Sequence, residues 1–219
     1  MKVAYDACVL RIEDHRSTKG RQRTRRRIVE NAPVLFNVHG VVGTSMADVS
    51  DATGLEKGGV YNHFASKEEL PAAAFDYAAG ITLDRIASAF KSQKPGLKQL
   101  RALLEIYRKS DDRPLLRGGC PLMNTAIEAD DTNPELRRRA RSAMESWRKV
   151  VAEALEDAMR VRAIAKVDTG RTASVFLATI EGGLMLAKLY GDIGHLRAAV
   201  DHLEAYLDSI ALGKSGRSA

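Results

Sequence analysis

Thr44-Ser45-Met46-Ala47-Asp48-Val49-Ser50-Asp51-Ala52-Thr53-Gly54-Leu55-Glu56-Lys57-Gly58-Gly59-Val60-Tyr61-Asn62-His63-Phe64 is the stretch on which the reading of this chain turns. Met46, Val49 and Ala52 recur at helical spacing behind Ser45, whose hydroxyl suits the orphan amides of a helix start. Asp48 stands three residues on, where a capping box places its acid. Gly54 ends that helix, because a sharp turn there needs a left-handed backbone that glycine takes without steric cost. A second short helix follows from Glu56 or Lys57, with Leu55, Val60 and Phe64 facing inward and Lys57, Tyr61, Asn62 and His63 facing out. Two helices joined by so tight a turn form a helix-turn-helix, and the outward face of the second is its reading head.

Downstream, Ser66 and Glu69 have the spacing of a reciprocal cap, which predicts a long helix starting there. Upstream, a helix is expected from about Thr24 to Val38, with Ile28, Ala32, Leu35 and Phe36 on its inner face and Gly40 beyond its end. Pro33 interrupts it; an internal proline removes one hydrogen bond and clashes with the preceding turn, at about 3 kcal/mol, so a kink or a division is expected. The order of capped helix, glycine turn, Lys57-Gly58-Gly59-Val60-Tyr61-Asn62-His63-Phe64 and Ser66-Lys67-Glu68-Glu69-Leu70 resembles the amino-terminal DNA-binding domain of the TetR/AcrR family of bacterial regulators.

That resemblance implies roles residue by residue. Tyr61 and His63 match positions that meet the phosphate backbone, and Lys67 matches a phosphate-binding lysine at the start of the fourth helix. Thr44 and Ser45 sit where the second helix presents hydroxyls and amides to a phosphate. Lys57, Gly58, Gly59 and Asn62 are the candidates for base edges, since lysine donates to guanine and asparagine pairs with adenine. The glycines either admit close approach to DNA or simply fit the packing against the second helix. Glu56 departs from the family, which more often carries Ser or Thr there.

At 219 residues the chain can bury a sizeable core. Aromatics are few, at 5%, and Ala, Leu, Arg and Glu abound, which favours an all-α architecture of about nine helices. A formal net charge of +6 and a pI near 9.4 suit a partner with phosphates. Cys8 and Cys120 form neither metal spacing nor a disulfide framework, so a reducing cytoplasm is the expected setting. The first twenty residues do not read as a secretory signal. Seven basic residues and no acidic one lie between Arg16 and Arg27, either a solvated run or a contact with DNA.

The expected organisation is an arm over 1–20, a DNA-binding domain over 21–67, a ligand-binding and dimerising domain over 68–212, and a disordered tail over 213–219. Within the large domain, apolar stripes predict helices through Tyr77, Ile81 and Phe90, then Leu97 to Tyr107, one opened by Cys120-Pro121, Pro134 to Val161, Thr169 to Tyr190 and Leu196 to Leu212. The resemblance implies a small-molecule effector among these helices. Tyr107, Cys120, Met123, Trp147, Phe176 and Met185 are the candidate lining, though such side chains also make ordinary core. Cys120 near a helix start is either an electrophile or oxidant sensor or a buried inert thiol. Glu181 is an isolated carboxylate in an apolar helix, where burial raises a pKa.

Val175 to Leu189 is apolar nearly all round yet reads as too short to span a bilayer, and with Leu196, Val200, Leu203, Leu207 and Ile210 it matches where the family forms its dimer. A twofold dimer implies a near-palindromic DNA operator. No phosphate loop, metal-spaced histidine pair or nucleophile with a base is present, so no enzyme activity, cofactor or metal is expected. The resulting expectation is a ligand-responsive transcriptional regulator, a repressor released by its effector. The alternatives are a sequence-tolerant basic DNA-binding protein without effector, or a thiol-based sensor through Cys120.

Overall fold

The computed structural model describes residues 2–66, 68–109 and 117–212, with the backbone alone at 2–19, 57 and 61. Among the described residues it has nine helices: α1 (Lys2–His39), α2 (Met46–Thr53), α3 (Lys57–Tyr61), α4 (Glu69–Lys91), α5 (Leu97–Arg108), α6 (Pro121–Ala129), α7 (Pro134–Arg160), α8 (Thr169–Tyr190) and α9 (Gly194–Ile210). An isolated antiparallel bridge, Ile164 to Ala211, ties the end of α9 to the α7–α8 turn. The expected tail 213–219 and the break over Ser110 to Pro114 lie outside the described residues.

The local signals around the turn hold. Ser45 Oγ accepts from the amide of Asp48 at 3.2 Å while the Asp48 carboxylate accepts from the Ser45 amide at 2.7 Å, and Gly54 turns the chain at φ 63. Ile28, Ala32, Val49, Val60, Leu70 and Ala74 then close a core of their own between α1, α2, α3 and α4, partly flanked by Leu55 and Phe64. Full burial of one such aliphatic side chain contributes about 1.5–3 kcal/mol before conformational entropy is set against it.

Three helix expectations change. The first helix starts at Lys2 rather than Thr24, so the backbone has no break at the expected arm boundary, and it runs through Pro33 undivided. Pro33 lies with Phe36, Pro71 and Phe75 around one small cleft against α4. At α4 the reciprocal cap does not form. Glu69 instead accepts from the Ala65 amide at 2.5 Å and pairs with Arg25 at 2.8 Å, while Ser66 Oγ accepts from the Glu68 amide at 3.3 Å. The distant arginine out-competes the local partner because its bond is charge-assisted.

Behind this unit two further apolar clusters fill the large domain. One joins α4, α5, α7, α8 and α9 around Trp147, Tyr107, Phe176 and Ile180; the other joins α4, α6 and α7 around Phe75, Leu122 and Leu136. Met144 and Leu184 touch both. By length and composition alone α8, the 22-residue helix expected over Thr169 to Tyr190, is long and apolar enough to cross a bilayer. Here it packs on α7 and α9, burying Phe176, Ile180, Glu181 and Gly183.

The two domains meet at α1 and α6. Asn37 near the end of α1 donates to the carbonyls of Arg117 and Gly119 at 2.8 and 2.9 Å, and Asn124 on α6 donates to the Asn37 side-chain oxygen at 2.8 Å. At the other end of α6 the Glu128 carboxylate accepts from the amides of Val41 and Val42 at 3.0 and 2.9 Å. Both ends of α6 are thus fastened to the chain that enters the reading unit.

Candidate nucleic-acid interface

The short helix α3 keeps its outer side bare. A Cβ built at Gly58 would meet nothing within 4 Å, and one at Gly59 only Leu55 Cβ at 3.9 Å. Packing against α2 therefore does not require a glycine at either position. Asn62 is exposed at the end of α3. The side chains of Lys57 and Tyr61, and all of Lys67, lie outside the described residues.

At the start of α2, Ser45 is exposed and engaged with Asp48, and the Thr44 hydroxyl donates to the Gly40 carbonyl at 2.6 Å. Hydrogen bonding to Ser45 holds the Asp48 carboxyl below its ordinary range. The capping box consumes the amides of Ser45 and Asp48, and those of Met46 and Ala47 lie between them in the first turn.

His63 is not simply an outward residue. Its Nδ1 is buried with no hydrogen-bond partner among the described residues, and burial, then Arg21 and Arg25, lower the imidazole pKa. It lines a cleft of about 420 Å³ with Arg21, Gln22, Arg25, Phe64, Ala65 and Glu69. Arg21 donates to the Asn62 carbonyl at 2.9 Å, and the Arg25 guanidinium lies 5.1 Å over the Phe64 ring. The sequence reading missed these two arginines as supports of α3. They sat in its basic run, but only tertiary packing shows which members of the run reach the segment after α3.

Among the candidate effector residues, Tyr107 lies within range of Cys120 and Glu181 and stacks on Trp147, Phe176 shares the buried cluster of the two rings, and Met123 and Met185 lie elsewhere. Tyr107 and Trp147 are buried and stacked, with ring centroids 6.0 Å apart at 26°. Phe176 is buried but turns its edge to Tyr206 at 6.3 Å. Met123 is half-buried against the α6 cluster. Met185 is a correction: at 45% exposure it stands on the outer face of α8 with Val175 and Leu189. Val175 and Met185 lie ten positions apart on α8, and with Gly182 between them the helical repeat puts all three on one side.

Cys120 caps α6, and burial and Glu181 push its thiol well above the ordinary range. A reactive thiolate needs the reverse shift. Glu181 is itself pushed up to about 7 by burial, with Cys120 opposing, and neither carboxylate oxygen has a conventional hydrogen bond among the described residues. Among those residues no group of three metal-ligating side chains occurs.

A helix-turn-helix with a bare reading helix, fastened to a helical domain, defines a DNA-binding transcriptional regulator. Residues 28–74 match the family described as bacterial regulatory proteins, tetR family, and residues 96–203 match the tetracycline-repressor-like C-terminal domain. A TetR transcriptional regulator of Chloroflexus aurantiacus shares 42% identity, with a TM-score of 0.85 over 89% of this chain and 100% of that one. A TetR-family regulator of Cytophaga hutchinsonii shares 30%, with a TM-score of 0.80 over 89% and 98%. The regulator TtgR of Pseudomonas putida is 28% identical over 76% of this chain and 81% of its own.

The chain belongs to the TetR family, whose members are ligand-responsive DNA-binding repressors, usually dimeric, and not enzymes.

The openness of Gly58 gives a test that separates packing from DNA contact. Gly58→Ala is expected to leave melting unchanged or raise stability by up to about 1 kcal/mol through helix propensity. The same change should lower operator affinity at least tenfold. Equal affinity would mean that α3 does not bring its backbone to the duplex.

Proposed function

We propose that this protein is a cytoplasmic homodimeric repressor that holds a near-palindromic operator with α3 of two copies and lets go when a small molecule enters the helical domain. The observation carrying this reading is the direct fastening of α6 to the chain entering α2. A shift of α6 in the effector domain would tilt the reading helix, and two copies whose spacing changes no longer fit successive major grooves. Thr44, Ser45, Tyr61, His63 and Lys67 serve the phosphates in this reading, and Lys57, Gly58, Gly59 and Asn62 the bases.

Dimerisation through α8 and α9 is supported by the outer face of α8, where Val175, Met185, Leu189 and Tyr190 are exposed. Gly182 among them would let a partner backbone come close. Beside them a groove of about 360 Å³ opens between α8 and α9, lined in part by His202, Leu203 and Tyr206. A solvated apolar stripe of this length favours a covering partner.

Binding of the purified protein to its own upstream DNA, beside scrambled DNA of equal length at two salt concentrations, tests the reading. Tight, salt-sensitive binding to one near-palindrome is expected, weakened about 100-fold by Tyr61→Ala because a dimer loses a phosphate contact in each half-site. Equal binding to both DNAs would replace this reading by that of a sequence-tolerant basic DNA-binding protein.

A further inference from the structure

We infer that the effector is an organic cation, its charge held by Glu181 beside the stacked Tyr107 and Trp147 rings. This rests on the reading of the large domain as effector-binding and names the chemical class that the site selects.

Glu181 lies midway along α8, 7% exposed, and both its oxygens are buried without a hydrogen-bond donor. A carboxylate kept for structure is ordinarily met by donors from the elements packed on it; here the side chain that acts on it is the weakly donating thiol of Cys120 at the start of α6. The buried phenol of Tyr107 on α5 lies within range of the charges of both groups. Trp147 on α7 stacks on Tyr107, and its indole nitrogen is likewise buried without a partner. Four helices therefore converge on one carboxylate, one thiol and two aromatic rings in the interior. Arg85 on α4 acts on Tyr107, but no cation is among the groups that act on Glu181.

The chemistry of this set selects its ligand. An anion is repelled by Glu181. A metal ion finds one carboxylate and one protonated thiol, short of a coordination set. A diffuse organic cation satisfies the carboxylate by charge and the rings by their negative faces. The position also explains a response. Glu181 belongs to α8 and Cys120 to α6, on either side of the seam that Met144 and Leu184 bridge between the two large clusters. A ligand wedged there parts α6 from α8. Because Gly118, two residues before Cys120, accepts from Lys188 of α8 at 2.8 Å and from Asn124 at 3.0 Å, that displacement reaches Asn37 and the reading unit.

Trp147 is the sole tryptophan of the chain, so its fluorescence reports occupancy without DNA. The test titrates the full-length protein with benzyltrimethylammonium and tetraphenylphosphonium. Neopentylbenzene and triphenylphosphine oxide serve as uncharged shape controls, and release of a labelled upstream DNA fragment is followed in parallel. Both cations are expected to change Trp147 emission and release the DNA. Glu181→Gln should weaken that binding at least tenfold, Glu181→Asp less, while both variants melt cooperatively and bind DNA as the parent does. The proposal is overturned if neither cation perturbs Trp147, if Glu181→Gln binds them as the parent does, or if the uncharged compounds act equally well. In that last case effector-driven release stands and only the cation class falls. Failure of every preparation to bind the DNA would count against the regulator reading, while the Trp147 titration would still decide the site.

Discussion

Gly118→Ala is expected to lower the melting temperature by about 10 °C and to weaken the coupling of α6 to the reading unit. Gly118 has φ +99, and a Cβ there would lie 2.6 Å from the Asn37 carbonyl oxygen and 2.8 Å from its carbon. Those are backbone atoms of α1, so no rotamer change relieves the contact. Holding a non-glycine residue in that backbone region costs about 1–3 kcal/mol. Moving the turn also strains the bonds from Asn37 to the carbonyls of Arg117 and Gly119 and from Lys188 to that of Gly118. Each is worth about 1 kcal/mol. Strain together with partial loss of the three bonds costs about 3–4 kcal/mol, which becomes the stated shift at about 2–4 °C per kcal/mol for a chain of this size. Gly80→Ala is the control: it lies inside α4 with nothing within 4 Å of its Cβ position, and should melt no lower than the parent. Thermal unfolding of the three proteins decides the matter, and a Gly118→Ala curve overlying that of Gly80→Ala would sink the argument.

Stability should fall by about 3 kcal/mol as pH rises from about 4.5 to about 7, and Glu181→Gln should remove that fall. Burial pushes the Glu181 carboxyl from 4.5 to about 7. Between those values the folded state keeps a proton that the unfolded chain has released, so each step up in pH favours unfolding until the folded carboxyl also ionises. Beyond about 7 the contribution is flat. His63, with its pKa lowered, acts oppositely around its ordinary value, since there the unfolded chain binds the proton that the folded state rejects. The exposed carboxyls held low by arginines or backbone amides, Glu69, Glu135 and Glu145, act only as pH falls below their ordinary range. The difference between parent and Glu181→Gln isolates the one group. Denaturant unfolding at pH 5, 6, 7 and 8 measures it, and parallel pH profiles for the two proteins would contradict the buried, unpartnered carboxylate.

The two predictions concern one circuit. Glu181 and Lys188 lie two turns apart on α8; the first meets Cys120 and the second Gly118, on either side of Gly119. A charge change at Glu181 and a steric change at Gly118 therefore act on the same turn, which α1 grips through Asn37. Double substitution should show coupling rather than simple addition, as contacts within a shared network do.

The helix-turn-helix was legible from residues alone because its signals are local. Ser45 and Asp48 cap their own helix, Gly54 turns at its own φ, and Val49 and Val60 are buried where the helical repeat puts them. The long helices behind it were legible for the same reason, their apolar residues recurring with the turn of the helix. Long-range contacts decided the rest. Glu69 pairs with Arg25, 44 positions away, instead of completing the cap that its neighbour Ser66 offered. Pro33 stays in an unbroken helix that packs on α4, and Met185 faces outward although its side chain is as apolar as those inside. Cys120 is an N-cap by sequence, a position that lowers a thiol pKa, yet burial beside Glu181 raises it. A repeat along the chain can specify which face of a helix is apolar, but which partner covers that face, and which charges meet behind it, depends on residues brought together only when the helices pack.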